Sequence, residues 1–524
     1  MGRTVIRTSI AGLAALLATT YAQDPAVIKI ATRLVQFNVI VHDHKGPVAD
    51  LKKQDFSILD HGKPRPIAVF HMDSRKSTDH VTPAPLAPNV FTNRHTLESN
   101  STILLFDGVN TQYSDQAYAR LQIIKFIERL QPADRVAIYT LGRELKVVHD
   151  FSSDTASLIE AAKALRVRIS AGDDQAVHLN ADSQLAAAAS GRFAIAFGPM
   201  MDNLTQRASE SNITRQVNQT ELALIAIARY FGSVPGRKNL VWVSSGFPIS
   251  IGGKDEFKTR FDAQIEDAAR ALMDANVAVY PVDARGLMAG PVLSPGENSQ
   301  STSFSEQEMM SLIAERTGGK AYFNANDLHG SIRRALDDSD VTYTLGFYLP
   351  EGEMDSKFHD IKIAVARKGV SVRARKGYIA YGDTTKSEGS REIAMKQVLA
   401  AGLDATGLPV TVRIDRTAKP NAIQVTAIID PHSLIFTPKD GQFVDAVDLV
   451  IAQQAADGRN IKVASELLSI AFTAERYKQI MSENLRIGRA LVLTPETKMI
   501  RVMFYDRNSG LIGSVRGSAN PNPQ

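Results

Sequence analysis

The sequence predicts an α/β protein in which a mainly parallel, Rossmann-like sheet lies between helices, flanked by β-sandwich-like modules at both ends. Three observations predict it. From Thr102 onward, continuous apolar runs such as "TILLFD", "NLVWV" and "VAVYPVD" alternate with helix-periodic segments, the pattern of a parallel sheet buried on both faces. Before that point, and again from residue 341, apolar residues recur at every second position, as in "LVQFNVIVHD" and "PVTVRIDRT", which is the signature of half-buried strands. At 524 residues the chain is also too long for one core, so several domains are expected.

The first element is a leader. "MGRTVIRTS" carries two arginines, "IAGLAALLA" is a short apolar run, and "TTYAQD" offers small residues for cleavage after Ala22. That order predicts a secretory signal peptide over residues 1–22, with an apolar run too short to span a bilayer. The mature chain is expected in the periplasm or outside the cell. Cysteine is absent, which excludes thiol catalysis, thiolate metal sites and disulfides. The net charge of +4 is small for this length, and no basic cluster has interleaved aromatics, so nucleic acid is not an expected partner.

Residues 26–73 read as a small β module with turns at Gly46 and Gly62, and the proline-bearing stretch 74–100 as a linker. The α/β domain spans 101–340. Its first strand is followed by a helix with Ala119, Ile123, Phe126, Ile127 and Leu130 on one face. "TELALIAIARYF" is apolar nearly all round and reads as a buried helix. Residues 166–219 exceed an ordinary connection and form either an inserted helical pair or a mobile excursion beside the site. Residues 341–382 extend the unit with strands, 383–407 form a linker with a helix, 408–515 are strands at sandwich-like spacing, and 516–524 read as a disordered tail.

The stretch "STILLFDGVNTQYSD" ends an apolar strand on Asp107 and continues into Asn110 and Thr111. Such a loop serves either as a strand-to-helix turn, with Asp107 accepting backbone amides, or as a metal-ligand loop. Together with "VIVHDHKGPVADLKKQDFSILDHGK", "PGRKNLVWVSSGFP", "TGGKAYF" and "YTLGFYLP", it resembles the von Willebrand factor type A fold, and more closely the exported type-A-related proteins of acidobacteria. The resemblance covers roughly residues 30–381.

It implies a metal-ion-dependent adhesion site for Mg²⁺ or Mn²⁺, built from a D-x-S-x-S loop, a threonine from a second loop and an aspartate from a third. Asp107 matches the first aspartate and Thr111 the second serine. Val109 stands at the first serine and cannot coordinate, leaving Asn110 as a substitute through its amide oxygen. Thr220 or Thr214 is the candidate threonine, and Ser244 or Ser245 stands where the last aspartate belongs. The implied set is therefore Asp107, Asn110, Thr111, Thr220 and Ser245, a degenerate site with one carboxylate. Asp283, ending a later strand, is a further candidate at the same sheet edge.

No zincin, nucleophile-elbow or P-loop motif is present. His42 and His44 have a spacing that suits Zn²⁺ but read as turn residues; Asp337, Asp338 and Asp340 read as a solvated face, and Trp242 as core. Three functions are carried forward: a non-enzymatic, adhesion-type protein-binding protein; a metal-free envelope scaffold or assembly factor; and an unrecognised hydrolase.

Overall fold

A computed structural model describes residues 32–74, 86–94, 101–165, 191–232, 234, 236–247, 250–251, 259–285, 299–325, 327–355, 357–380, 388–419 and 421–520. The expected signal peptide, residues 166–190 of the expected insertion and the last four residues lie outside this set.

The unbroken apolar run that opens the α/β unit is explained by burial on both sides. Strand β1, Thr102–Asp107, is buried at every position. It leads to α1, Tyr113–Ile127, then β2, Val136–Leu141, and β3, Leu145–Ser152. Helices α2, Thr155–Lys163, and α3, Gly191–Tyr230, precede β4, Lys238–Ser244. The unit closes with α4, Asp262–Asp274, β5, Val277–Asp283, α5, Ser299–Thr317, and α6, Leu328–Asp337. The sheet order is β5-β4-β1-β2-β3, parallel except for β3. A parallel bridge from Val282 to Tyr322 adds a further rung beyond β5.

Alternation sorts the strand residues onto two faces. Ile103, Leu105, Leu240 and Trp242 pack with Leu224 and Ile227 of α3, Ile265 of α4 and Ile313 of α5. Leu104, Phe106, Val241 and Val243 pack with Ile123 of α1, Leu158 of α2 and Ile332 of α6. Each fully buried aliphatic side chain here contributes about 1.5–3 kcal/mol relative to exposure.

The segments on either side depart from the expected divisions. Strand Thr32–Asp43 pairs with Val341–Pro350 in eight consecutive registers, and Phe56–Asp60 pairs with Phe358–Val365. Residues 32–74 and 341–380, expected as two separate modules, are thus halves of one β unit with a shared core of Phe37, Ile58, Tyr343, Phe347 and Tyr378. Within the expected linker, Val90–Thr92 pairs with Val410–Arg416, and buried Asn93 donates to the carbonyls of Ala405 and Leu408. The boundary at residue 219 also dissolves, because α3 runs without a break from Gly191 through Tyr230.

Residues 388–400 form the expected helix, after which Val410–Arg416 and Ala422–Ile429 share a core with Gln442–Gln454, Met499–Asp506 and Ile512–Ser518. That last strand overturns the disordered reading for 516–518: Ser518 pairs with Met499, and Ala519 is buried behind it. Among the described residues no helix is long and apolar enough to cross a membrane.

Candidate functional site

The sheet order reverses its direction of winding between β1 and β4, and in open α/β sheets ligands bind outside the carboxyl ends of strands at such a point. Asp107 ends β1 there. It continues the face of Ile103 and Leu105, while Ser244 continues that of Leu240 and Trp242 on the neighbouring strand. Helix α3 covers this face and brings Thr220 to its edge, one turn before Leu224.

Asp107 is completely buried and accepts five hydrogen bonds. Oδ1 takes the backbone N–H groups of Val109 and Asn110, both at 3.0 Å. Oδ2 takes Asn110 Nδ2 at 2.8 Å, Trp242 Nε1 at 2.9 Å and Ser244 Oγ at 3.1 Å. Ionised carboxylates have about four lone-pair sites, so the group is saturated. Burial nevertheless pushes its carboxyl above the ordinary range, against the pull of these donors.

Asn110 is the centre of the arrangement. Its Nδ2 lies 2.8 Å from Asp107 Oδ2 and 2.7 Å from Thr220 Oγ1. The carboxylate only accepts, and the Thr220 hydroxyl spends its hydrogen on Gln216 O at 2.9 Å. Both neighbours therefore require the nitrogen, not the oxygen, of the amide. An amide N–H₂ thus bridges a carboxylate and a threonine hydroxyl, the two groups that a cation would share in the expected site.

The structure brings together Asp107, Asn110 and Thr220, adding Trp242 and Ser244. Ser245 turns away and donates to Asp115 Oδ2 at 3.2 Å. Thr111 is buried, and its hydroxyl has no hydrogen-bond partner. Thr214 donates to Glu210 O within α3. Asp283 is held by Arg285, whose Nε lies 2.9 Å away, and by Gln307 at 3.1 Å.

This donor set does not fit a hard dication. Such an ion needs oxygen ligands around it, whereas Asn110 and Trp242 aim hydrogens at the oxygen that would coordinate, and the amide oxygen of Asn110 faces away. The two acceptors flanking the amide hold its nitrogen, where the expected coordination would use its oxygen.

Two further expectations change. Trp242, read as core, is core by its ring but also holds Asp107 through its indole N–H; the period of two along "NLVWVSS" places Trp242 and Ser244 on one face and is the signal for it. Asp338, read as solvated, is buried, accepts the Tyr280 hydroxyl at 2.7 Å and pairs with Arg373.

Neither a family model nor a curated protein matches the chain. Among solved structures, an aerotolerance-related membrane protein from Bacteroides fragilis is 12% identical, over 45% of this chain and 98% of that one, with a TM-score of 0.27. A von Willebrand factor type A protein from Catenulispora acidiphila is 11% identical, over 87% and 73%, with a TM-score of 0.25. A mutant of the PilB minor pilin from Streptococcus sanguinis is 10% identical, over 47% and 62%, with a TM-score of 0.25. Likenesses this distant carry no argument about function. Von Willebrand factor type A domains stand among the chain's structural neighbours.

Proposed function

We propose that the chain is an exported, non-enzymatic protein-binding protein of the adhesion type. In this reading a Rossmann-like, type-A-like domain, flanked by β-sandwich-like modules, presents the carboxyl edge of its sheet to a protein partner. The observation that carries it is Tyr113. It is 71% exposed at the first position of α1, three residues past Asn110, whose backbone and side chain Asp107 holds. A large amphipathic ring on an exposed edge is the residue type that anchors protein interfaces. Asp107 has no oxygen left over for acid–base work, which supports a binding role over a hydrolytic one.

The bridging amide of Asn110 favours a variant of this reading in which docking needs no cation, shared with a metal-free envelope scaffold. A photo-crosslinking side chain at position 113, in the native envelope fraction, tests both. The expected result is one protein captured equally with Mg²⁺ and with EDTA, and not captured from Tyr348, which is 55% exposed on the N-terminal β unit. No capture from position 113 would refute the binding surface; capture only with Mg²⁺ would refute the cation-free variant.

A further inference from the structure

We propose that the N-terminal β unit holds a divalent transition-metal ion, Zn²⁺ or one of similar ligand preference, on His61, the Nδ1 of His359 and the carboxylate of Asp60, with Asp355 orienting the His359 ring from its Nε2. This site lies in a different unit from the Asp107 loop and does not depend on the reading of that loop.

Strand register assembles it. Four strands lie in the order Gly377–Ile379, Phe358–Val365, Phe56–Asp60, Lys63–Arg65. Tyr378 pairs with His359, Ile361 with Asp60, and Ile58 with Arg65. Paired and alternate residues share a face, so Tyr378, His359, Asp60 and Arg65 form a polar row on the side that packs on the core.

Asp60, 2% exposed, receives Arg65 Nε at 3.0 Å and the Tyr378 hydroxyl at 2.9 Å on Oδ2. Its Oδ1 lies 3.0 Å from His359 Nδ1. On the other side of the same ring, Nε2 lies 3.2 Å from Asp355 Oδ1. His61, exposed in the hairpin turn after Asp60, has its ring centroid 4.8 Å from that of His359. One ligand atom each from Asp60, His61 and His359 fits within 4.8 Å.

The chemistry of the ring narrows what this can be. A neutral imidazole has one N–H and one lone pair, yet both nitrogens of His359 face carboxylate oxygens. A neutral ring would therefore point a lone pair at an anion. A second proton, a metal ion or the Tyr378 hydroxyl turned onto Nδ1, 3.1 Å away, resolves the conflict, and a second imidazole 4.8 Å away supplies a further ligand for the metal. Two imidazoles with carboxylates suit Zn²⁺ and its neighbours, while Ca²⁺ and Mg²⁺ prefer all-oxygen shells. The turn itself does not demand the histidine, since His61 at φ 46° and Gly62 at φ 80° occupy positions that favour Asn-Gly or Asp-Gly.

The test is calorimetric titration of the metal-stripped full chain with ZnCl₂, with Co²⁺ absorption as a second readout of coordination. Wild type, His61→Ala and Asp355→Asn are compared, with His44→Ala and the exposed His432→Ala as controls. His61 and Asp355 are at the surface, so both variants should fold, and circular dichroism checks that they do. The expected result is one ion per chain, bound at least about 10-fold more weakly in each of the two site variants and unchanged in the controls, with the visible Co²⁺ bands diminished in parallel. Equal affinity in wild type and both site variants would overturn the proposal, as would no saturable binding with metal in excess, or loss of binding in His44→Ala alone.

Discussion

Replacing Asn110 by alanine removes a side chain that hydrogen-bonds both Asp107 and Thr220. Two contacts disappear, at 2.8 Å to the carboxylate and at 2.7 Å to the hydroxyl. A hydrogen bond to a charged group contributes about 1.5–3 kcal/mol, and a neutral one about 0.5–1.5 kcal/mol. Asp107 is 0% exposed, so bulk water does not replace the lost donor. The backbone N–H of residue 110 still reaches Oδ1, and the turn itself survives. The expected loss is about 2–4 kcal/mol. Urea unfolding followed by tryptophan fluorescence measures it cleanly, because Trp242 is the only tryptophan in the chain and its indole bonds the same carboxylate oxygen. With a slope of about 2 kcal/mol/M the midpoint should fall by about 1–2 M. A loss below about 0.5 kcal/mol, the scale of an ordinary surface substitution, would refute the claim that the amide holds the loop together.

Three more outcomes follow from the same structure. Burial drives the Lys238 ammonium down to about 7 from 10.5, so between those values the unfolded chain holds more protons than the folded one. Stability of the α/β unit should therefore be lowest below pH 7 and climb as pH rises towards 10, with a slope of at most about 1.4 kcal/mol per pH unit; Lys238→Met should abolish that slope in Trp242-monitored melts, and an unchanged slope would contradict the assignment. A Cβ at residue 319 would lie 1.9 Å from Val279 O in β5, so Gly319→Ala should cost about 3 kcal/mol or more, read as a fall in the same fluorescence midpoint; wild-type stability would show that the backbone there yields. Asn93 donates to Ala405 O and Leu408 O and accepts Val410 N at 2.7 Å. Asn93→Ala should thus destabilise the C-terminal strands by about 2–4 kcal/mol in calorimetry while leaving the Trp242 midpoint in place, and an equal shift of both would mean that the two units unfold as one.

The α/β unit was legible because its signals are local. Continuous runs such as Ile103 to Phe106 and Leu240 to Val243 need burial on both faces, and the face of α1 repeats at helical spacing. Pairings across hundreds of residues leave no such trace: nothing in "LVQFNVIVHD" says that its neighbour is the strand beginning at Val341. Val90–Thr92 is too short to display a period, and the prolines around it look like a linker. At the site, the sequence singled out Asp107, Asn110 and Thr220 as one group, but the direction of the amide depends on which atoms face it. Trp242 was hidden for a related reason, since an apolar context reads as core whether or not the indole N–H has a partner.

The Asn110 amide stands where a type-A-like site would share a cation. Trp242-monitored unfolding of the full chain in EDTA, Mg²⁺ and Mn²⁺, beside Asp107→Asn, tests it most directly. The midpoint should be the same in all three conditions. A stabilisation approaching about 2.7 kcal/mol, the value for an ion at about 100 times its Kd, present in wild type and absent in Asp107→Asn, would contradict it and return Asp107, Thr111 and Thr220 to the role of ligands.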